Sequence, residues 1–185
     1  MKNSCITGTF CAFITAIALA LGIFMGYRLY TFFPQAHHVS KAIAIVHPLA
    51  NNTVTGTVIF SEEKDGLHIV VECNNLTPGK HGFHIHSFGD PRSVESFCNH
   101  YNPTNKQHGC PASTERHVGD LGNIEADTSG HVRHEMVDSI LALNGPTSII
   151  GRSIIIHADE DDCVSQPSGN SGARIAYGVI GIAGK

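Results

Sequence analysis

The chain has 185 residues, a formal net charge of −4, and 13 histidines against 12 lysines and arginines together. This length suits one globular domain with an appendage, and the acidic balance argues against a nucleic-acid partner, which would require a basic surface. An excess of histidine is typical of a metal-binding protein or, less often, of a pH-responsive surface.

The N-terminal segment differs in composition from the rest of the chain. Residues 5–27 contain no charged side chain. A run of this length can cross a hydrocarbon core of about 30 Å as a helix, which favours an uncleaved anchor. The Ala18-Leu19-Ala20 triplet is typical of a cleavage site, so a signal peptide is the alternative. We expect a hydrophobic helix over 1–28, as signal-anchor or signal peptide, and a linker over 29–40.

Both alternatives place the domain in an oxidising compartment. It would be membrane-anchored on the extracytoplasmic side, or secreted if the segment is cleaved. Glycosylation sequons at Asn51 and Asn75 agree with this expectation. Two of the six cysteines lie in the apolar segment, and the four in the domain are Cys73, Cys98, Cys110 and Cys163.

The domain, residues 41–185, is built from short runs of alternating polarity separated by glycine, asparagine, aspartate and proline. These runs predict strands near 41–47, 53–60, 67–73, 81–87, 122–127, 131–136, 153–159 and 174–182. About eight strands without a helical period indicate an all-β antiparallel sandwich or barrel. Two long connections, 89–119 and 158–173, are predicted to be functional loops.

Histidines mark the fourth predicted strand and its end. His84 and His86 lie two residues apart, so in a strand their imidazoles point to one face. This pair alone is equally compatible with two surface histidines. The first long loop then supplies three histidines and an aspartate, a closed tetrahedral set suited to zinc: His100, His108, His117 and Asp120.

A second ligand set shares one of these residues. His157 ends a later predicted strand, and with three other imidazoles it completes the four-nitrogen set that copper(II) prefers: His84, His86, His100 and His157. His100 belongs to both sets, because a deprotonated imidazole can bind metals through both of its nitrogens.

Four motifs carry a family resemblance: "HGFHIHSFGD", "ERHVGDLGNIEAD", "IIGRSIIIHADEDD" and "GNSGARIAYGVIGIA". In this order, over about residues 41–183, the chain resembles the copper–zinc superoxide dismutases. The resemblance implies a Greek-key β-sandwich and assigns copper and zinc to the two ligand sets above. It also implies that Asp161 hydrogen-bonds a copper histidine and a zinc histidine.

The implied activity is dismutation of superoxide to dioxygen and hydrogen peroxide, by alternating reduction and reoxidation of copper. His100 would release copper on reduction and deliver a proton, and Arg174 would hold the superoxide anion. The resemblance also implies a homodimer through the segments "SFGD", "SIIGRS" and "GVIGIA". Their apolar residues fit a self-complementary interface: Ile149, Ile150, Val179 and Ile182.

The chain departs from the family at the intrasubunit disulfide. Tyr177 occupies the final-strand cysteine position, and neither Val94 nor Glu95 is a cysteine in the loop. We predict a Cys98–Cys110 bond in its place, because zinc would draw the flanking histidines together. The alternatives are a bond from Cys98 or Cys110 to Cys163, or three reduced thiols. Cys73 is predicted to be a buried small hydrophobe.

The second long loop also departs from the family, since it is short and has no lysine. We therefore expect weakened electrostatic steering of superoxide. Two other functions compete with dismutation: a non-catalytic copper-binding module on the same fold, and a solvated pH-sensing histidine surface.

Overall fold

A computed structural model describes residues 18–19, 21–25 and 38–184. The chain divides into two units, Met1–His37 and His38–Lys185, and the described residues of the first are helical. None of the helical residues described belongs to a helix long and apolar enough to cross a membrane. The signal-anchor or signal peptide over 1–28 and the linker over 29–40 lie largely outside the described residues and stay predictions.

The second unit contains eight antiparallel strands, as predicted. They are β1 (Lys41–Pro48), β2 (Thr55–Glu63), β3 (Gly66–Asn74), β4 (Gly79–His86), β5 (Asp120–Ala126), β6 (Val132–Asp138), β7 (Ser153–His157) and β8 (Arg174–Ile182). A short 3-10 helix (Glu95–Phe97) lies in the first long loop. Each strand overlaps its predicted run, because the alternating β-branched pattern suits a strand with one buried face.

The strands follow the order β5-β4-β7-β8-β1-β2-β3-β6 in one sheet. β6 pairs with β3, while the intervening β4 and β5 cross to the opposite end, so the connections are of the Greek-key type. The two terminal strands, β5 and β6, contact each other and nearly close the sheet into a barrel. The all-β Greek-key prediction is confirmed.

The core fills the barrel and explains the strand patterns. In the middle of β1, β2 and β3, buried residues alternate with exposed or half-buried ones, and the buried set includes Ala44, Val58, Phe60 and Ile69. β4 and β7 differ, because nearly all of their residues are buried. Such strands have both faces covered, one by the core and the other by the long loops.

The register of β4 and β7 separates core residues from polar residues. Phe83 pairs with Ile156 and Ile85 with Ile154, and all four side chains belong to the core. The intervening positions of β4 carry His84 and His86, which therefore lie on the opposite face. The histidines are buried under the loops, and this burial overturns the solvated pH-sensing surface as an interpretation.

The first long loop is attached to β4 through its backbone. The amide of Ile85 donates to Gly119 O, and Ile85 O accepts from the amide of Tyr101, each at 2.8 Å. His100 also forms an isolated bridge with His86. The loop thus returns twice to the same strand, and this brings its histidines next to those of β4.

An apolar cluster occupies the place of the missing family disulfide. Phe97 is buried with Leu49 and Ile155, and Val94 and Tyr177 pack against them. The ring centroids of Phe97 and Tyr177 are 5.1 Å apart, within the range of favourable aromatic pairs. The loop therefore packs against the last strand at Tyr177, the position where the resemblance implies a cysteine.

Candidate metal centre

Two β-bulges aim the histidines of β4 and β7. The β4–β5 register shifts between Gly82 and His84, and the β7–β8 register shifts between Ile156 and His157. Bulges re-aim side chains and are frequent beside functional sites. These two bring the imidazoles at the strand ends towards the histidine of the first loop. The four-histidine cluster consists of His84, His86, His100 and His157.

The four-histidine cluster has the donor atoms of a metal site. One nitrogen from each imidazole lies within 4.8 Å of the others. Within residues 38–184, four buried cluster nitrogens have no hydrogen-bond partner: His84 Nδ1 and the Nε2 atoms of His86, His100 and His157. Buried polar atoms are nearly always paired, so four convergent unpaired nitrogens fit a metal ion. These residues are therefore suited to a resident metal.

The opposite ring nitrogens are held by hydrogen bonds. His86 Nδ1 donates to Cys98 O at 2.9 Å, and His157 Nδ1 donates to Gly172 O at 3.2 Å. Such bonds select the tautomer that leaves Nε2 as a lone-pair donor. The rings are thus oriented for metal binding by the backbone around them.

A second cluster, the mixed cluster, shares His100 with the first. Its members are His100, His108, His117 and Asp120, all buried, with ligand atoms within 4.8 Å of one another. Asp120 Oδ1 lies 2.7 Å from His100 Nδ1 and 3.1 Å from His117 Nδ1. Three nitrogens and one oxygen, shielded from water, match the donor set of a closed zinc site.

Asp161 links the two clusters through its carboxylate. Oδ2 accepts a hydrogen bond from His84 Nε2 at 2.7 Å, and Oδ1 accepts one from His108 Nε2 at 2.9 Å. A carboxylate on the far side of a ligating imidazole fixes its orientation and increases its basicity. The geometry agrees with the bridging position expected for Asp161.

Burial determines the charge of the four-histidine cluster. Desolvation, with the neighbouring imidazoles, lowers the pKa of His100 to about 4 and that of His157 to about 3. It also lowers the pKa of His84 and, more strongly, that of His86. The imidazoles are therefore neutral at pH 7, which is the form that binds metals.

The carboxylates of the centre are ionised. Burial alone would raise the pKa of Asp120, but hydrogen bonds from three histidines outweigh it and lower the pKa. For Asp161 too, burial would raise the pKa, but hydrogen bonds from His108 and His84 outweigh it and lower the pKa. Burial also opposes charge on His108, yet its bonds to these two carboxylates raise its pKa to about 9. Without metal, His108 is therefore a buried cation between two anions.

We expect the metal-free protein to lose stability between about pH 6.5 and pH 4. Unfolded histidine titrates near 6.5, so in this range the unfolded chain binds protons at His100 and His157 that the folded protein excludes. His108 is protonated in both states there. The loss should reach several kcal/mol, at about 1.4 kcal/mol per unit of pKa difference.

Denaturant unfolding of the metal-free protein at pH 6.5, 5.5 and 4.5 measures this dependence. The His157→Ala variant serves as the control and should show a shallower slope, because it lacks one of the excluded protons. Stability that stays constant or increases on acidification would contradict the assignment of neutral imidazoles.

Arg174 lies at the opening of the four-histidine cluster. Its guanidinium donates to Val94 O and to Cys98 O, the latter at 2.6 Å. No carboxylate oxygen of the described residues lies within 4.0 Å of it. A cavity of about 430 Å³ joins Arg174 to the imidazoles of His86, His100 and His157. Arg174 thus places a positive charge in the cavity beside these imidazoles.

The Cys98–Cys110 prediction is wrong. The structure pairs Cys110 with Cys163, with Cα atoms 5.0 Å apart, and Cys98 is free and exposed. Cys98 follows the 3-10 helix, and its carbonyl points at His86 and Arg174. Cys110 instead lies where the two long loops meet. Cys73 is buried, as predicted.

His81 was not predicted as a site residue, although it lies in the same stretch as His84. It is buried, with Nδ1 2.8 Å from His157 O and Nε2 2.8 Å from Thr77 O. It therefore supports the backbone of His157 and belongs to neither cluster. The short spacing between His81 and His84 could have drawn attention to this residue. Spacing does not show whether a histidine binds a metal or holds the backbone by hydrogen bonds.

The chain was compared with known proteins. Residues 54–180 match the family model described as copper/zinc superoxide dismutase. "Superoxide dismutase [Cu-Zn]" of Onchocerca volvulus is 45% identical over 155 residues, which cover 77% of this chain and 96% of the relative. "Superoxide dismutase [Cu-Zn] 2" of Mesembryanthemum crystallinum is 41% identical, with 78% and 96% covered.

An "Extracellular superoxide dismutase [Cu-Zn]" of Brugia pahangi is 43% identical, with 77% of this chain and 76% of the relative covered. A crystal structure of the clock protein EA4 matches with a TM-score of 0.76 and 38% identity, covering 82% of this chain and 99% of that one. The matches extend over most of the domain and include both ligand clusters. The chain belongs to the copper/zinc superoxide dismutase family.

Proposed function

We propose that the protein converts superoxide to dioxygen and hydrogen peroxide at the four-histidine cluster. The observation that carries the proposal is the convergence of four buried, unpaired imidazole nitrogens on a cavity that also contains Arg174. Copper would be held by His84, His86, His100 and His157, and zinc by His100, His108, His117 and Asp120. Family membership supports both metals.

When bound, copper would supply the electron transfer by alternating between two oxidation states. The residues of the chain do the rest. Arg174 holds the anion near the cluster by its fixed charge. His100, whose Nδ1 lies 2.7 Å from Asp120 Oδ1, would deliver one proton from Nε2 to the reduced oxygen species, and a second proton from solvent would complete hydrogen peroxide. Asp161 would keep the rings of His84 and His108 in fixed orientations through its hydrogen bonds to both.

The zinc set has a structural role in this proposal. All four of its donor atoms come from the protein, which is the mark of a closed site. All four of its ligands lie in the first long loop or at its end, where the metal would order backbone that has little core of its own. Zinc would also hold the ring of His100 in a fixed orientation.

Metal analysis and copper EPR of the purified protein, followed by a superoxide-decay assay, test the proposal. We expect one copper in a nitrogen environment, one zinc, and fast catalysed decay. A non-catalytic copper-binding module would bind the metals without accelerating decay. That outcome would overturn dismutation and leave the metal sites standing.

We expect Arg174→Gln to lower kcat/KM for superoxide by about 10-fold or more, because electrostatic steering contributes factors of roughly 10 to 1,000 to association rates. The rate should also become less sensitive to ionic strength. Stopped-flow decay at several salt concentrations measures both effects.

Arg133→Gln is the matched control, since it removes an equal charge from an exposed position on β6. It should leave the rate nearly unchanged. An unchanged rate in Arg174→Gln would remove the arginine from the anion site. Strong steering from elsewhere is not expected, because the cavity rim is largely formed by uncharged residues: Asn99, Asn102, Asn105, Pro167, Ser168 and Gly172.

The domain acts in an oxidising, extracytoplasmic compartment in this proposal. The Cys110–Cys163 disulfide supports it, because such bonds persist mainly outside the reducing cytosol. The Brugia pahangi relative is named as extracellular, which favours secretion of this chain as well.

A homodimer is the proposed assembly, with one correction to its interface. Ile149 was expected there but is fully buried in the core of its own domain. Val179 and Ile182, which were also expected there, are exposed, and so are Ile45 and Phe88. A Cβ placed on Gly89 would lie 2.9 Å from Val179 Cγ1, so the "SFGD" segment packs directly against β8. A self-complementary apolar patch of this kind supports a two-fold interface.

We expect residues 38–185 to sediment as a dimer at micromolar concentration, and Val179→Glu to convert it to a monomer by placing a charge in the apolar patch. Val137→Glu, at an exposed apolar position on β6, is the control and should remain dimeric. A monomeric wild-type protein would contradict the proposal.

A further inference from the structure

The two long loops are covalently joined beside the metal centre. Cys110 lies two residues after His108, and Cys163 lies two residues after Asp161. The second loop has little packing of its own in this region, since Val164 is 75% exposed. The disulfide therefore connects the segment that carries Asp161 to the segment that carries His108, and both cysteines are half-buried.

Cys163 also contacts the carboxylate that links the clusters. Its backbone amide donates to Asp161 Oδ1 at 2.7 Å, and the same oxygen accepts from His108 Nε2. On the other side, the Asn123 amide pairs with the backbone N and O of Asp161, at 2.8 and 2.9 Å. A displacement of Cys163 would therefore move one side of the carboxylate while its backbone stays held.

Gln166 forms a second link between the loops. Its Oε1 accepts from the amide of His108 at 2.8 Å, and its Nε2 donates to the carbonyl of His108 at 3.0 Å. Gly169 follows closely, and a Cβ there would lie 1.8 Å from Asp161 Oδ1 and 2.6 Å from His108 Nε2. The second loop thus covers the Asp161–His108 contact with its own backbone.

We propose that the Cys110–Cys163 disulfide and Gln166 position Asp161 between His84 and His108, so that retention of both metals depends on the oxidised state of this bond. The inference rests on the proposed function, because it assumes that the two clusters hold metals. The disulfide and Gln166 act through Asp161 and do not contact the reacting atoms, so they are positioning groups. They connect the first long loop, which carries His108, to the second long loop, which carries Asp161. The first loop is attached to the last strand by packing.

Reduction opens the link without changing the sequence. A dithiol such as dithiothreitol donates two electrons and two protons, the sulfur–sulfur bond breaks to two thiols, and the reductant leaves as its cyclic disulfide. The loop that carries Cys163 is then linked to His108 by Gln166 and by the Asp161–His108 hydrogen bond, without a covalent restraint. Asp161 Oδ1 is expected to lose its fixed position, and the ligating imidazoles lose their orienting carboxylate.

The experiment compares purified holoprotein in the oxidised state, after reduction and removal of the dithiol, and after reoxidation. Zinc release to an excess of chelator is followed with a chromogenic zinc indicator, and the copper EPR spectrum is recorded in each state. We expect zinc release about 10-fold faster after reduction, the usual scale for losing an orienting partner of a metal ligand. The copper spectrum should shift, because His84 is oriented by the same carboxylate. Reoxidation should restore both.

Variants separate the disulfide from other effects of the reductant. Cys163→Ser should release zinc as fast as the reduced wild-type protein, whether or not it has been treated with the dithiol. Cys98→Ser should respond to reduction like the wild-type protein. Gln166→Leu should speed zinc release while the disulfide remains intact. A merely stabilising disulfide would raise the unfolding midpoint without changing the copper spectrum of the folded protein.

Equal zinc release and an unchanged copper spectrum in the oxidised and reduced wild-type protein would overturn the inference and leave the proposed function intact. Failure of the oxidised protein to bind copper and zinc would overturn the proposed function itself. Because the wild-type chain is tested in two states, the result does not depend on whether a variant folds.

Discussion

The His157→Ala variant is expected to lose dismutase activity while its zinc-binding loop stays folded. His157 supplies one of the four convergent nitrogens and ends β7, whereas the mixed cluster contains no atom of it. Loss of a direct ligand should cost more than the roughly 10- to 100-fold that is typical for losing an orienting partner. Superoxide decay, copper EPR and zinc content of the purified variant measure the outcome.

His131→Ala is the matched control for the loss of a histidine. His131 lies just before β6 and belongs to neither cluster. This variant should keep wild-type activity and metal content. Full activity of His157→Ala with copper bound would show that the copper site is assigned to the wrong residues.

The Asp138→Ala variant is expected to lower the free energy of unfolding by about 3–5 kcal/mol, the range for removing one partner of a buried ion pair. Asp138 and Arg116 are each 3% exposed and form a salt bridge. Arg116 also donates to Asp120 O at 2.8 Å, next to the mixed cluster. Without Asp138 a buried guanidinium would keep its charge and lose its anion. Denaturant unfolding of the metal-free protein measures the change.

Two comparisons control this prediction. The double variant Arg116→Met/Asp138→Leu removes both charges and should recover part of the loss, because no unpaired buried charge remains. Glu160→Gln disrupts an exposed pair with Lys80 and should leave unfolding unchanged. If Asp138→Ala unfolds like the wild-type protein, the buried ion pair does not stabilise the fold as expected.

The strands and the clustered histidines could be predicted because both can be recognised in short stretches of the sequence. Alternating β-branched runs predict strands wherever one face is buried, and all eight runs formed strands. Metal-ligating types are few, and their order along the chain matched a known family from His84 to Arg174. Residues that must bear one particular chemistry leave a signal in the sequence even when their contacts are unknown.

Contacts between distant segments could not be read in this way. Cys110 and Cys163 are 53 residues apart, and three pairings of the four domain cysteines were open. Phe97 and Tyr177 likewise meet only because the first loop folds back onto β8. Ile149 looked like an interface residue from its motif, yet the chain turns it into the core. Apolar side chains suit a core and an interface equally, so composition does not separate them.

The sequence by itself therefore determined the all-β class, the strand positions, the residues that the fold brings together in the two clusters and the absence of the family disulfide. Only the tertiary structure decided that the two long loops are joined at Cys110 and Cys163, and that packing around Tyr177 holds the first loop. The physical reason is the separation along the chain of the residues that each property depends on. Strand patterns and ligand chemistry depend on residues one by one, whereas loop pairing depends on where the barrel brings segments that are far apart in the chain.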